Sequence, residues 1–223
     1  MARPHNLNAL GPPLPPFSIV PVLTIDTASD AATLIESLYQ AGIQAVEITL
    51  RTPTALQAIE HAKSKAPQVL IGAGTVIRPS QVGAAISCGS DFGLAPGLNC
   101  AVVETAIQSR FAFVPGVSTP SDIEASLQYG FRFLKVFPAE ALGGEAYIRA
   151  LAGPYRHVGV SFLPLGGITV SNFDTYLRSH LVKAVGGSWI APRSYIRDHC
   201  WTEIHANARQ AVALASAIRE ECE

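Results

Sequence analysis

The residue that most needs a chemical explanation in this chain is Lys135. It lies in a mostly apolar run that stops at a proline, residues 131–140, which read FRFLKVFPAE. Burial in such a run disfavours the charged form of an amine. A neutral lysine amine can attack a ketone and form a Schiff base, so this position is a candidate nucleophile. The alternative is a structural lysine that pairs with a carboxylate inside the fold.

A glutamate and an arginine stand near the end of a second apolar run. Glu47 and Arg51 are four residues apart in residues 45–51, which read AVEITLR. Beside an amine nucleophile, Arg51 can hold a substrate carboxylate through two parallel hydrogen bonds, and Glu47 can move protons. In isolation, a glutamate and an arginine at such a spacing are often just an ion pair.

Glycine pairs follow the last two predicted strands. These are Gly166-Gly167 and Gly186-Gly187, the second of which is followed by Ser188. Backbone amides exposed after strands seven and eight of a barrel form an anion pocket for a phosphate, and glycine opens the backbone angles that such loops need. Either pair alone could be an ordinary strand-to-helix turn. Two pairs at successive strand ends favour a phosphate site.

From Ser18 onward, the predicted strands and helices that must position these residues repeat about every 20 to 25 residues, a spacing typical of βα units. Helices are predicted between the strands, with starts near Ser29 or Asp30, near Pro79 and near 118–119. A final amphipathic helix is predicted over 201–220. Eight strands are predicted, at 19–24, 45–50, 69–75, 91–96, 112–115, 133–137, 161–165 and 182–186.

This pattern predicts one α/β domain, a (β/α)8 TIM barrel over residues 18–223, preceded by a proline-rich arm at residues 1–17. The alternative is an open doubly wound sheet, but no GxGxxG turn follows the first strand. In a barrel the active site lies at the C-terminal ends of the strands, which is where the reactive residues collect.

Composition points to a small-molecule partner. The chain has 223 residues, 48% hydrophobic and 15% charged, with a formal net charge of -1 and no basic stripe for nucleic acid or an anionic membrane. Its 4 cysteines form no CxxC pair, and no run has the character of a secretory signal or a membrane span. We therefore expect a cytoplasmic protein without disulfides. A metal is weakly signalled, because His199, Cys200 and His205 are far in sequence from the strand ends.

Several segments together resemble the motifs of the KDPG/KHG aldolases, which are class I, Schiff-base aldolases of 2-keto-3-deoxy-6-phosphogluconate. They occur in order between about 20 and 192 and read VEITLRT at 46–52, GAGTV at 72–76, APG at 95–97, PGVST at 115–119, KVFPAE at 135–140 and GGSW at 186–189. The resemblance implies a homotrimer that needs no cofactor and no metal, because the iminium polarises the substrate.

The resemblance also implies roles for individual residues. Lys135 would be the Schiff-base lysine, and Glu47 the general acid and base. Arg51 and Thr75 would bind the pyruvyl carboxylate. The pyruvyl end would be walled by Pro96 and Phe137, and the phosphate would lie in a cradle of Gly166, Gly167, Gly187 and Ser188.

The reaction so implied is cleavage of 2-keto-3-deoxy-6-phosphogluconate to pyruvate and glyceraldehyde 3-phosphate. Where many family members read Pro-Thr-Gly-Gly after strand seven, this chain has Leu165, which offers no hydroxyl to the substrate. An aldolase for the galactonate-derived epimer, or for 4-hydroxy-2-oxoglutarate, is therefore an alternative. A non-catalytic sugar-phosphate-binding barrel and a phosphosugar isomerase or epimerase are alternatives of other classes. The last of these leaves Lys135 unexplained.

Overall fold

Strands and helices alternate along the chain in the computed structural model, which describes residues 11, 12, 14 and 18–222. The strands are β1 (Ser18–Leu23), β2 (Ala45–Thr49), β3 (Leu70–Gly74), β4 (Phe92–Leu94), β5 (Phe113–Val114), β6 (Gly116–Val117), β7 (Phe133–Val136), β8 (Ser161–Pro164) and β9 (Ala184–Gly187). There is thus a strand at each predicted position.

Helices connect the strands on one side of the sheet. They are α1 (Asp30–Gln40), α2 (Ala55–Lys65), α3 (Pro79–Ser87), α4 (Cys100–Gln108), α5 (Pro120–Gln128), α6 (Ala139–Leu142), α7 (Gly144–Ala152), α8 (Phe173–Leu177), α9 (Arg193–Arg197) and α10 (Trp201–Cys222), with a 3-10 helix at Gly153–Val158. In the described part of the chain, no helix has the length and apolar character needed to cross a membrane.

The strands form a curled parallel sheet in two hydrogen-bonded parts. One part has the order β5-β4-β3-β2-β1-β9 and the other the order β6-β7-β8. At one junction of the two parts, Phe162 of β8 makes a parallel bridge to Val182, just before β9. At the other junction, the N–H of Gly116 in β6 donates to the carbonyl of Gly97, just after β4 (3.3 Å). The architecture is an α/β fold built on this curled parallel sheet.

The fifth predicted strand differs from the structure, because Pro115 divides it. The single strand expected at 112–115 is replaced by β5 and β6, each of two residues, on either side of the proline. Proline has no N–H to donate to a strand ladder. Its carbonyl still accepts from the N–H of Lys135 (2.9 Å). The chain therefore passes from one part of the sheet to the other at a point directly beside Lys135.

The buried apolar residues form two clusters because successive strand side chains face opposite sides of a sheet. The larger cluster lies between the strands and the helices. The smaller one lies on the other face of the strands and contains Val20, Phe92, Val114 and Leu163. It also contains Leu14, which is only 2% exposed. Most of the predicted proline-rich arm is outside the described residues, but Leu14 within it packs in this smaller cluster.

A side-chain cap is present at one of the predicted helix starts and absent at another. At α5, the hydroxyl of Thr119 accepts from the N–H of Asp122 (3.3 Å), and the Asp122 carboxylate accepts from the N–H groups of Ser118 and Thr119 (both 2.9 Å). At α1, Ser29 is the N-cap residue but its side chain makes no capping hydrogen bond. Ser29 has helical backbone angles, which do not suit the usual N-cap geometry.

Candidate active site

Residues from the C-terminal ends of several strands meet in a pocket of about 190 Å³. The pocket lining includes every site residue named from the sequence: Glu47, Arg51, Thr75, Pro96, Lys135, Phe137, Gly166, Gly167, Gly187 and Ser188. Leu165, the position that departs from the family motif, also lines it. Sequence reasoning did not single out Val22, Thr49 and Ile168, which complete the lining. Val22 and Ile168 are apolar, and a threonine at the end of a strand is common, so none of the three stands out by residue type. Strand register could have indicated Val22 and Thr49, whereas Ile168 lies in the loop after β8.

A buried ion pair lies at the centre of the pocket. The Nζ of Lys135 in β7 is 3.2 Å from both carboxylate oxygens of Glu47 in β2. The two residues are 4% and 1% exposed, and they belong to different parts of the sheet. The Lys135 Nζ is also 5.7 Å from the centre of the Phe137 ring. Because two buried opposite charges compensate each other, each residue makes the other's burial tolerable.

Glycine in the neighbouring strand leaves the space that Glu47 occupies. A Cβ added to Gly74 would lie 2.0 Å from Oε1 of Glu47 and 2.4 Å from its Cγ. In the register of β2 and β3, Gly72 pairs with Glu47 and Gly74 pairs with Thr49, so Gly74 lies beside the Glu47 side chain. A residue larger than glycine at position 74 is therefore incompatible with the observed carboxylate position.

Thr75, the next residue after β3, has an unusual backbone conformation. Its φ of 61° is left-handed, which is an outlier for a β-branched residue. Hydrogen bonds hold the segment on either side of it: Leu50 N–H donates to the Gly74 carbonyl (2.8 Å), and Val76 N–H donates to the Leu94 carbonyl (3.0 Å). The surrounding sheet thus over-determines this conformation, as is common for strained residues at functional sites.

The glycine pair after β8 requires glycine for two reasons. Gly166 and Gly167 have φ values of 93° and 81°. In addition, a Cβ at Gly167 would lie 2.5 Å from the Cβ of Glu140. On the neighbouring strand β9, a Cβ at Gly187 would lie 2.3 Å from the ring of Trp189. This end of the pocket is therefore bounded by backbone, in a form suited to a ligand that accepts hydrogen bonds from main-chain N–H groups.

The histidines weighed as metal ligands make other contacts. His199 stacks on Trp201, with ring centres 5.2 Å apart, and its Nε2 is 3.3 Å from the carboxylate of Asp30. The Nδ1 of His205 is 3.0 Å from the carbonyl of Ser37. These side chains lie at the α10 end of the fold and are absent from the lining of the pocket described above.

Fold and site together define an α/β protein in which a buried lysine and glutamate face an arginine and a glycine-bounded cavity at the carboxyl ends of parallel strands. Residues 14–207 match the model of the family described as KDPG and KHG aldolase. The chain belongs to this family.

Individual relatives agree with the family match. The chain is 39% identical over 196 residues to a 2-dehydro-3-deoxy-phosphogluconate aldolase of Haemophilus influenzae, covering 88% of this chain and 92% of that protein. It is 37% identical over 199 residues to the protein of the same name from Dickeya dadantii, covering 89% and 92%. A crystal structure of KDPG aldolase from Legionella pneumophila, with pyruvate captured at low pH as a covalent carbinolamine intermediate, superposes with a TM-score of 0.83 at 35% identity and covers 94% of this chain and 98% of that one.

Proposed function

We propose that this protein is a class I aldolase, a carbon-carbon lyase that cleaves 2-keto-3-deoxy-6-phosphogluconate to pyruvate and glyceraldehyde 3-phosphate. The observation that carries the proposal is the buried Lys135 Nζ, held 3.2 Å from both oxygens of Glu47 in a pocket at the strand ends. An amine so placed can act as a nucleophile because a proton acceptor is within hydrogen-bond reach. The capture of pyruvate as a carbinolamine in the Legionella relative agrees with this chemistry.

The reaction begins when Lys135 transfers a proton to Glu47 and adds as a neutral amine to the C2 ketone of the substrate. Glu47 returns a proton to the carbinolamine oxygen, water leaves, and a protonated Schiff base remains. This cation accepts electrons. Glu47 then removes the proton of the C4 hydroxyl, the C3–C4 bond breaks, glyceraldehyde 3-phosphate leaves, and the electron pair settles in the enamine of pyruvate. Protonation at C3 and hydrolysis of the imine release pyruvate and regenerate Lys135.

The other pocket residues divide between the two ends of the substrate. Arg51 and Thr75 bind the carboxylate of the pyruvyl part, and Pro96 and Phe137 form the walls around it. The phosphate lies in the glycine-bounded end, against Gly166, Gly167, Gly187 and Ser188. A carboxylate suits a guanidinium, and a phosphate suits main-chain N–H groups, so the two ends select the orientation of the substrate.

One pocket position favours a second candidate substrate. Leu165 is 3% exposed and lines the pocket beside the glycine pair, where it can contact the polyol section without a hydrogen bond. The same lysine chemistry could then act on the galactonate-derived epimer or on 4-hydroxy-2-oxoglutarate. Rates on these substrates, measured side by side, separate the candidates. Replacing Leu165 by Thr should shift the ratio of rates on the two C4 epimers, and an unchanged ratio would remove this residue from the specificity.

The assembly proposed for this enzyme is a cytoplasmic homotrimer of single-domain chains, each a closed (β/α)8 barrel over residues 18–223. The Phe162 to Val182 bridge and the hydrogen bond from Gly116 to Gly97 support closure, since each lies where the two parts of the sheet meet. Light scattering on the purified protein tests the trimer, and a monomeric mass would contradict it.

Borohydride trapping tests the proposed function. Reduction in the presence of pyruvate should attach one reduced pyruvyl group to Lys135, located by intact mass and peptide mapping. Lys135→Met should abolish the adduct. Lys183 provides a matched control, since it is partly buried and its Nζ is likewise near an aromatic ring, 5.5 Å from the centre of Phe133. Lys183→Met should label as the unmodified protein does. A folded protein that gives no adduct would favour the phosphate-binding or isomerase alternatives.

A further inference from the structure

Two threonine hydroxyls connect Arg51 to the sheet. The Nη2 of Arg51 donates to Oγ1 of Thr24, at the end of β1 (2.8 Å). That oxygen is 3.2 Å from Oγ1 of Thr49, the last residue of β2. The Thr49 hydroxyl is in turn 3.0 Å from the carbonyl oxygen of Leu23, to which it donates. We call Arg51, Thr24, Thr49 and the Leu23 carbonyl the threonine chain.

The direction of every hydrogen bond in the threonine chain follows from the number of protons available. A hydroxyl has one proton, a guanidinium only donates and a carbonyl only accepts. The Thr49 hydroxyl donates its proton to the Leu23 carbonyl, so its oxygen must accept from the Thr24 hydroxyl. The Thr24 hydroxyl therefore donates to Thr49, and its oxygen accepts from the Arg51 guanidinium. This ordering satisfies each group and points donors away from the guanidinium.

The threonine chain is buried at Thr49 and exposed at the Arg51 guanidinium. Thr49 is 1% exposed, Thr24 is partly buried and Arg51 is exposed. A long exposed side chain loses rotamer freedom when it binds a ligand, and this cost weakens binding. An anchor that holds the side chain before the ligand arrives removes part of the cost.

The backbone that carries Thr24 is held independently of its hydroxyl. Thr52 and Thr54 both donate from their hydroxyls to the carbonyl of Ile25, at 2.7 and 3.1 Å. The neighbouring Asp26 accepts two hydrogen bonds from Arg193, at 2.6 and 2.8 Å. Loss of the Thr24 hydroxyl alone should therefore leave the loop after β1 where it is.

From these contacts we infer that Thr24 is a positioning residue, which holds Arg51 in the orientation that receives the substrate carboxylate. The inference rests on the proposed function of Arg51, and it adds a residue that does not touch the substrate. Thr24 acts through its hydroxyl oxygen, so serine can replace it and valine cannot. The role is specific to carboxylate binding, because the phosphate end of the pocket is on other strands.

The test is pyruvate-dependent borohydride labelling of Lys135 in Thr24→Val, with Thr24→Ser as the conservative variant. The pyruvate concentration for half-maximal labelling should rise about tenfold in the valine variant, the order expected for one lost hydrogen bond to a charged group. The labelling at saturating pyruvate should be unchanged. Thr24→Ser should restore the concentration found for the unmodified protein. If the valine variant does not fold, Thr24→Ala removes the same acceptor without adding bulk.

Two further variants distinguish positioning from a structural effect. Thr54→Val removes a hydrogen bond to the same loop without touching the threonine chain, and it should label as the unmodified protein does. An equal loss in Thr54→Val would overturn the inference, because loop placement would then explain both. In an Arg51→Lys background, Thr24→Val should have little additional effect; full additivity would also overturn it.

The outcomes separate this inference from the proposed function. If the unmodified protein does not label at Lys135, the Schiff-base function fails and Thr24 has no carboxylate to position. If the unmodified protein labels normally and Thr24→Val has the same pyruvate dependence, the function stands and the positioning role of Thr24 is wrong.

Discussion

Replacing Gly74 by alanine should inactivate the enzyme without changing any group that reacts. The added Cβ would lie 2.0, 2.4 and 2.6 Å from Oε1, Cγ and Cδ of Glu47. Non-bonded carbon atoms prefer separations of about 3.5–4.0 Å, so the carboxyl group must move by more than roughly 1 Å. Gly74 has no left-handed φ that alanine could not adopt. The effect therefore comes from the collision with Glu47 and not from backbone strain.

The size of the effect follows from what Glu47 contacts. Its carboxylate is 3.2 Å from the Lys135 Nζ, and a shift of that size takes the pair beyond hydrogen-bond distance. A positioned acid and base contributes about 10²- to 10⁴-fold to a rate, so kcat should fall by roughly 100-fold or more. Overpacking a well-packed interior costs about 1–3 kcal/mol, which should appear in the free energy of unfolding.

The assay for Gly74→Ala is pyruvate release, coupled to lactate dehydrogenase, together with urea unfolding. Gly97→Ala is the matched control, because Gly97 follows the pocket residue Pro96 and an added Cβ there meets nothing within 4 Å. It should keep normal activity and stability. In a Glu47→Ala background the obstructing side chain is absent, so Gly74→Ala should cost much less stability than in the unmodified protein. A cost that is the same in both backgrounds would refute the reasoning.

Three other perturbations have defined outcomes. Glu47→Gln should still trap pyruvate on Lys135, but more slowly because the amine loses its proton acceptor, and turnover should fall about 10²- to 10⁴-fold; unchanged turnover would exclude Glu47 from proton transfer. Leu14→Ala should lower the free energy of unfolding by about 2–5 kcal/mol with normal kcat, since Leu14 is 2% exposed in the smaller buried cluster; a change below measurement error in urea would show that this contact contributes nothing. Burial raises the pKa of Asp122, but hydrogen bonds from the α5 cap outweigh it and hold the pKa below the usual value. Because the folded pKa of Asp122 is lower than the unfolded value of about 3.9, the cap stabilises the fold above that pH, and this contribution is lost as pH falls through the folded pKa. Asp122→Asn should therefore flatten the acid side of the curve of unfolding free energy against pH, measured by urea unfolding. An unaltered slope would contradict the role of Asp122 in the cap.

Local chemistry in the sequence accounts for much of the fold. Strand positions were predictable because short β-branched runs bounded by glycine and proline are local features. The division of the fifth strand was not predicted, although Pro115 is visible in the sequence, since it depends on which neighbours the chain meets on each side. The same limit applies at α1, where Ser29 has a capping residue type but helical backbone angles.

The candidate site shows a similar division. Lys135, Glu47 and the glycine pairs were identified from residue type and position near strand ends. Thr24 and Thr49 were not, because a threonine at the end of a strand is common. Their part in holding Arg51 became visible only when the ends of β1 and β2 were seen side by side.

The sequence by itself determined the family, the order of strands and helices, and the residue types available for the chemistry, because all of these are properties of a linear pattern. Only the tertiary structure decided which carboxylate meets the lysine. Glu47 and Lys135 are 88 residues apart and belong to separate parts of the sheet. They meet because the parallel sheet curls and because Gly74 leaves room for one carboxylate beside the amine. No local pattern encodes the distance between Glu47 and Lys135, since it is set by the packing of strands that are far apart in the sequence.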